Sequence, residues 1–330
     1  MSFLYEYELG KAADIIARDF LHLKEGETCV ITADTESDIR VVNAMARAFF
    51  SAGAKPMVIL IASPLGIGRA ADPMIPKPLI AALCETDAWI EYGPKYINYS
   101  AAFDIAKEQN PKLRHLCLEG MTASNIVRCI GRVDFAALEA FMTKLAFMIE
   151  RASGVRITTP AGQDVQFANK RGRPVTVEFG KAEKPGSSFQ PGVIAWTPSL
   201  ETVNGIIVFD GAVNPPIGLL GEPIRFYIEQ GHIKKIAGSK EAVEYESWLR
   251  RWNHPQMLRL AHVSIGCNPE ARLSDNNSEC ERVWGTTQWG IGHIGQVLVP
   301  DGEVIAPSHS DGICMNSSAW LDGVAIMEVG

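Results

Sequence analysis

The segment Pro307-Ser308-His309-Ser310-Asp311-Gly312 sets a histidine and an aspartate two residues apart. On an extended chain, side chains two apart point to the same face. His309 and Asp311 can therefore offer an imidazole nitrogen and a carboxylate oxygen to one cation. A third donor must come from elsewhere. His262, in Leu260-Ala261-His262-Val263-Ser264, lies in an apolar strand-like run where a buried imidazole needs a partner. Two histidines and a carboxylate on one face of a metal, with the opposite face open, form the ligand set of non-haem Fe(II) oxygenases. The same residues have a plainer reading. His-x-Asp arises by chance in loops, and a histidine in an apolar strand is commonly a satisfied core residue.

Other residues carry less specific signals. His293 sits in Trp289-Gly290-Ile291-Gly292-His293-Ile294-Gly295, where three glycines allow backbone to approach a ligand or simply to bend. Glu178 is an acid inside the strand-like run Val175-Thr176-Val177-Glu178-Phe179, either facing solvent or turned inward beside a site. Gly66-Ile67-Gly68-Arg69-Ala70 lacks the full pattern and context of a dinucleotide loop and reads as a loop or flap. No phosphate-binding P-loop, H-E-x-x-H or G-x-S-x-G motif is present.

The elements that must position these residues divide the chain in two. Up to about residue 154, helix and strand patterns alternate: a helix over Lys11–Leu23, a strand at Thr28–Thr32, a helix with an apolar stripe of Ile39, Val42, Ala46, Phe49 and Phe50, and a strand at Met57–Ile61. Further strands follow at Ala88–Ile90 and His115–Leu118, and a long helix over Phe135–Ala152 closes the segment. The expected fold is an α/β N-terminal domain (1–154) followed by a strand-rich α+β C-terminal domain (155–330). In the second half, strand runs alternate with turn dipeptides at Asn204-Gly205, Gln230-Gly231, Asp301-Gly302 and Asp322-Gly323, interrupted by a helix over Glu241–Trp252.

Bulk composition narrows the partners. At 330 residues the chain exceeds what one core usually holds. A net charge of −7 argues against a nucleic-acid surface. No run approaches a transmembrane span, and the N-terminus has no signal-peptide pattern. The seven cysteines are scattered, with no C-x-x-C pair, as in reduced thiols of a cytoplasmic protein.

Taken together, His262-Val263-Ser264-Ile265-Gly266, Val283-Trp284-Gly285-Thr286, Pro307-Ser308-His309-Ser310-Asp311 and Trp320-Leu321-Asp322-Gly323 follow in the order found in the aminopeptidase T family of metallo-aminopeptidases. In ligand type the chain resembles more closely their relatives, the 2,5-dihydroxypyridine 5,6-dioxygenases. The resemblance covers the whole chain in layout and implies an aminopeptidase T-like fold. It implies one Fe(II) held by His262, His309 and Asp311, acting with O₂ on a small hydroxylated aromatic ring, in a homo-oligomer. By the same likeness His262 stands where the aminopeptidases have a glutamate, and Gln288 near where they have a histidine, which weakens or removes a second metal. Glu281 remains a possible ligand for one. The alternative is therefore a metallo-aminopeptidase or amidohydrolase using Zn²⁺ or Mn²⁺.

Glu178 resembles an acid that lines the dioxygenase substrate pocket. Trp196 and Trp289 are expected to stack on the substrate, with Gln288 beside them. The chain departs from the dioxygenases in having no histidine in Gly186–Pro191 or in the lid region Tyr96–Ser100. The general base is then sought in His293 or Tyr99.

Overall fold

The structure is a computed structural model that describes residues 3–295, 297–300 and 304–329. The turn expected at Asp301-Gly302 lies outside these residues. The chain forms two compact units. One comprises Met1–Val133 with Glu178–Pro191, the other Asp134–Val177 with Gly192–Gly330.

In the first unit, helix α1 (Phe3–Ile15) runs on through a π-helical turn at Ile16–Phe20. It is followed by β1 (Thr28–Asp34), α2 (Ile39–Ser51), β2 (Lys55–Ile61), α3 (Lys77–Glu85), β3 (Ala88–Glu91), α4 (Ala101–Gln109), β4 (Arg114–Cys117) and a short α5 (Ala123–Ile126). The strands are parallel, in the order β2-β1-β3-β4. Helix starts are set by side-chain caps: Asp38 accepts from the Arg40 amide and Ser100 from the Phe103 amide.

Chain order continues with α6 (Phe135–Arg151), β5 (Gly154–Thr158), β6 (Asp164–Ala168), β7 (Val175–Glu178), β8 (Gly186–Phe189), β9 (Val193–Trp196), β10 (Asn204–Phe209), β11 (Ala212–Asn214), β12 (Gly218–Leu219), β13 (Ile224–Glu229) and β14 (His232–Ala237). Then come α7 (Lys240–Arg251), β15 (Leu260–Gly266), α8 (Asn277–Cys280), β16 (Thr287–Ile294), β17 (Val304–Cys314), β18 (Ser318–Leu321) and β19 (Val324–Met327). Two seven-stranded sheets result, β14-β13-β10-β6-β5-β18-β19 and β12-β11-β17-β16-β15-β9-β7. Aromatic side chains close the space between them. Phe167 of the first sheet meets Trp196 and Trp289 of the second at ring-centroid distances of 6.5 and 5.5 Å. Among the described residues no helix is long and apolar enough to cross a membrane.

The α/β and strand-rich α+β classes match the sequence expectation; the single division at 154 does not. The long helix α6 belongs to the second unit, because Asn169 Nδ2 donates to the carbonyls of Ile149 (2.9 Å) and Ala152 (3.2 Å) and the Phe141 ring packs 4.9 Å from Trp284. The stretch Gly186–Pro191, to which the sequence assigns no strand, supplies β8, which pairs in parallel with β4 as the fifth strand of the first unit's sheet.

Candidate metal centre

Three central strands of the second unit build the site. In the antiparallel pairing of β16 with β17, Gly290 faces Asp311 and Gly292 faces His309. In the pairing of β15 with β16, Ser264 faces Gln288. Directly opposed residues share a face, so His262, Ser264, Gln288, Gly290, Gly292, His309 and Asp311 occupy one face of the sheet. The opposite face carries Trp196, Val263 and Trp289, which turn into the core.

His262, His309 and Asp311 come together: one donor atom from each lies within 4.8 Å of the others, the one such grouping among the described residues. The two Nε2 atoms are 3.3 Å apart. The Asp311 carboxylate stands 3.2 Å from His262 Nε2 and 3.1 Å from His309 Nε2. His309 Nδ1 donates to the His293 carbonyl at 2.7 Å. That bond places the ring proton on Nδ1 and leaves the Nε2 lone pair free for a cation, the usual support of a metal-bound histidine. One proton between two facing imidazole nitrogens can satisfy only one of them, whereas a cation at their convergence satisfies both and the carboxylate. The donor set thus fits a metal.

The surroundings fix this geometry. A Cβ on residue 290 would lie 2.5 Å from His262 Nε2 and 2.8 Å from His309 Cε1, so the rings need a glycine beneath them. Between the two β17 ligands, Ser310 points to the other face, where it donates to the Pro215 carbonyl (2.7 Å) and pairs with the Tyr245 hydroxyl (3.0 Å). Burial alone would raise the Asp311 carboxyl, but His309 and His262 outweigh it and hold it well below the usual range. Burial alone would lower His309, but the Asp311 carboxylate and the His293 carbonyl outweigh it and raise the imidazole.

Gln288 shares the metal face, yet its amide is spent. It donates to the Glu281 carbonyl (2.6 Å) and to Thr286 Oγ1 (3.3 Å), and accepts from Ser264 Oγ. Glu281 is held by Arg282 Nη1 (2.5 Å) and Asn277 Nδ2 (2.9 Å), and burial raises its carboxyl against the pull of Arg282. The stacking role expected of Trp196 and Trp289 does not fit their orientation. Both are buried on the core face, Trp289 with no exposed surface and Trp196 with its Nε1 on Asn169 Oδ1 at 2.9 Å. Strand alternation carries that signal: Gln288, Gly290 and Gly292 alternate with Trp289 and Ile291. His293 is half-buried, and its Nδ1 is buried without a hydrogen-bond partner.

Tyr99 and Glu178 belong to the first unit. Tyr99 has a left-handed backbone (φ 63°), and its phenol is pushed up to about 12, chiefly by desolvation of the hydroxyl. At neutral pH it can donate a hydrogen bond but does not remove a proton. The Glu178 carboxylate accepts from the Phe189 amide at 3.3 Å. The ligands were legible from spacing; Gly290, Ser310, Tyr245 and the His293 carbonyl were not, although a glycine in a strand facing a candidate ligand was a usable sign.

Known proteins share this layout. A solved structure of 2,5-dihydroxypyridine dioxygenase from Pseudomonas putida matches with a TM-score of 0.78 at 18% identity, covering 98% of this chain and 96% of that one. Wild-type AmpT from Thermus thermophilus matches with a TM-score of 0.66 at 17% identity, covering 99% of both chains. These likenesses establish the aminopeptidase T-like fold. In sequence, the chain is 25% identical over 197 residues to a 2,5-dihydroxypyridine 5,6-dioxygenase of Pseudomonas putida and spans only about half (55%) of its length. A family profile described as 2,5-dihydroxypyridine 5,6-dioxygenase matches residues 19–330, and the chain belongs to that family.

Proposed function

We propose that the chain is a ring-opening dioxygenase that holds one Fe(II) through His262, His309 and Asp311 and acts on a hydroxylated N-heterocycle of the dihydroxypyridine kind. The observation that carries this reading is the convergence of two imidazole Nε2 atoms and one carboxylate, all half-buried, within 4.8 Å on one face of the sheet. When bound there, iron would supply a centre where an electron-rich ring and O₂ exchange electrons.

The chain's own residues do the rest. Asp311 is ionised at neutral pH and supplies the single negative charge of the ligand set, favouring a deprotonated ring hydroxyl as the next anion. His309, tied to the His293 carbonyl, holds one tautomer and one ring orientation. His293 lies at the register shift between Gly292 and Ile294 that interrupts the alternation of β16, and its Nδ1 has no hydrogen-bond partner; with the Tyr99 phenol held protonated, we assign His293 removal of the ring-hydroxyl proton. A two-metal hydrolase is less well supported. The Glu281 carboxylate is already paired with the Arg282 cation and hydrogen-bonded by Asn277, and the Gln288 amide is fully used, which disfavours both as ligands of a second cation.

The test is oxygen uptake by anaerobically purified, Fe(II)-loaded protein given 2,5-dihydroxypyridine. One O₂ consumed per ring lost, with no uptake by His309→Ala, is the expected result. Amide hydrolysis with two zinc or manganese ions per chain and no oxygen uptake would overturn the reading.

A further inference from the structure

Strand β17 carries two of the three ligands, and its main-chain support is uneven. On one side runs β16, with Gly290, Ile291 and Gly292 opposite Asp311, Ser310 and His309. That ladder shifts register between Gly292 and Ile294, next to the His309 rung. On the other side, β11 pairs with β17 at Val213–Gly312 and Asn214–Asp311. The residues that follow Asn214 are Pro215 and Pro216. Proline has no N–H to donate, so neither can give a ladder bond to the strand beside it. The β11 ladder therefore stops at Asp311. His309 is held by one neighbouring strand, at an irregular place in it.

Side chains stand in for the missing rungs. Ser310, with no exposed surface, donates to the Pro215 carbonyl at 2.7 Å, and the Tyr245 hydroxyl donates to Ser310 Oγ at 3.0 Å. Tyr245 reaches it from α7, which buries Ala242, Tyr245, Trp248 and Leu249. The tyrosine ring is itself fixed. It is fully buried, stacks 7° from parallel on Trp248 at 6.0 Å, and meets Phe226 edge-on at 5.8 Å. Phe226 packs 4.6 Å from Phe209, whose ring lies against Gly312. Ser310 and Gly312 alternate with His309 and Asp311 along β17, so this aromatic row backs the segment whose other face presents the ligands. Burial pushes the Tyr245 phenol well up, against the pull of the Ser310 hydrogen bond and with the help of the Asp311 carboxylate. The hydroxyl therefore keeps its proton and acts as a donor.

We infer that Tyr245 is a positioning residue for the metal centre: through Ser310, its hydroxyl replaces the strand rung that the two prolines cannot form and fixes where His309 and Asp311 stand. The inference rests on the metal reading above and adds helix α7 to it. A displaced Ser310 moves both flanking ligands at once, because the main chain joins them, while His262 stays in place on β15. Loosening the contact thus opens the donor cluster from one side. Linkage gives the converse: a cation that draws the donors together tightens the docking of α7.

The experiment is an anaerobic Fe(II) competition against a chelator, on the full chain and on Tyr245→Phe, Ser310→Ala and the double variant, with Trp248→Phe as a control for packing of the same aromatic row. Tyr245→Phe and Ser310→Ala are each expected to bind Fe(II) about 10-fold more weakly. The double variant should be no weaker than Ser310→Ala, since both changes remove one contact. Trp248→Phe should melt lower yet bind Fe(II) within about twofold of native. Co(II)-loaded Tyr245→Phe should show a shifted d–d spectrum, which lost stability alone does not produce. Native affinity in both single variants, losses that add in the double variant, or an equal loss in Trp248→Phe would overturn the proposal. A native chain that takes up no Fe(II) would instead overturn the metal centre itself. Should Tyr245→Phe fail to fold, hydrogen exchange of the native protein decides. Amides within 243–248 must gain protection when Fe(II) is added; protection independent of Fe(II) refutes the coupling.

Discussion

Replacing Gly290 by alanine tests the metal centre most directly, because it adds one methyl group beneath both imidazoles. The new Cβ would stand 2.5 Å from His262 Nε2, 2.6 Å from His262 Cδ2 and 2.8 Å from His309 Cε1. Ordinary carbon contacts lie near 3.5 Å, so the rings must withdraw by about 1 Å. Displacements of that size at a reacting centre cost on the order of 100-fold, or about 2.7 kcal/mol. The metal-free fold should tolerate the change. Gly290 is not among the left-handed glycines, and the imidazole tips can swing outward. Gly290→Ala is therefore expected to melt within ~1 kcal/mol of the native metal-free protein while binding Fe(II) about 100-fold more weakly in an anaerobic chelator competition. Gly312→Ala is the contrast, since its Cβ would fall 2.0 Å from the Phe209 ring on the core face. It should lose stability by at least 1–3 kcal/mol. If Gly290→Ala bound Fe(II) within threefold of native and consumed oxygen normally, the metal would not lie where the two Nε2 atoms meet.

Other outcomes follow from single contacts. His293→Ala should keep Fe(II) affinity within about threefold, because His309 uses only the main-chain carbonyl of residue 293, while kcat falls by ~10²-fold or more; equal loss of affinity and kcat would count against the proton-transfer role. Trp289→Phe should leave KM for the ring substrate within twofold, and Trp289→Ala should cost about 3–5 kcal/mol in urea unfolding; a large KM change in the phenylalanine variant would restore a stacking role. Asp210, whose Oδ1 accepts from the Met315 amide at 2.7 Å, has its carboxyl raised by burial. The folded state therefore holds that proton more tightly than the unfolded one, and stability falls as pH rises from the unfolded value through the folded one. Asp210→Asn retains the acceptor and should raise the melting temperature by about 2 °C at neutral pH, with no gain at acid pH where the native carboxyl is protonated; an unchanged or lower value at neutral pH would remove this account.

Much of the site was legible because it rests on short-range geometry. The two-residue spacing of His309 and Asp311 survives in any strand, and His262 needed only a neighbouring strand to bring it across. The aromatic assignments failed for a related reason. Proximity in sequence to Gly290 made Trp289 look like a pocket residue, although strand alternation puts it on the opposite face. Gln288 lies on the correct face but satisfies Ser264, Thr286 and the Glu281 carbonyl, a long-range network that no local pattern announces. The α/β first half was legible from its periodicity. Strand β8 was not, since Gly186-Ser187-Ser188-Phe189 has little strand propensity and owes its conformation to β4.

That late strand has a consequence for how the polypeptide is made. The β4 edge stays uncovered until β8 has been synthesised, some seventy residues later in the chain. Until then the buried His115 lacks the Ser187 hydroxyl that meets its Nδ1 at 3.2 Å, although Glu91 already stands 3.2 Å from its Nε2. A nascent chain ending at Val133 would hold four parallel strands with both flanks open. The first unit therefore completes only after the ribosome has moved well into the second, and a boundary cut placed at 133 or 154 would yield an adhesive fragment in place of a domain.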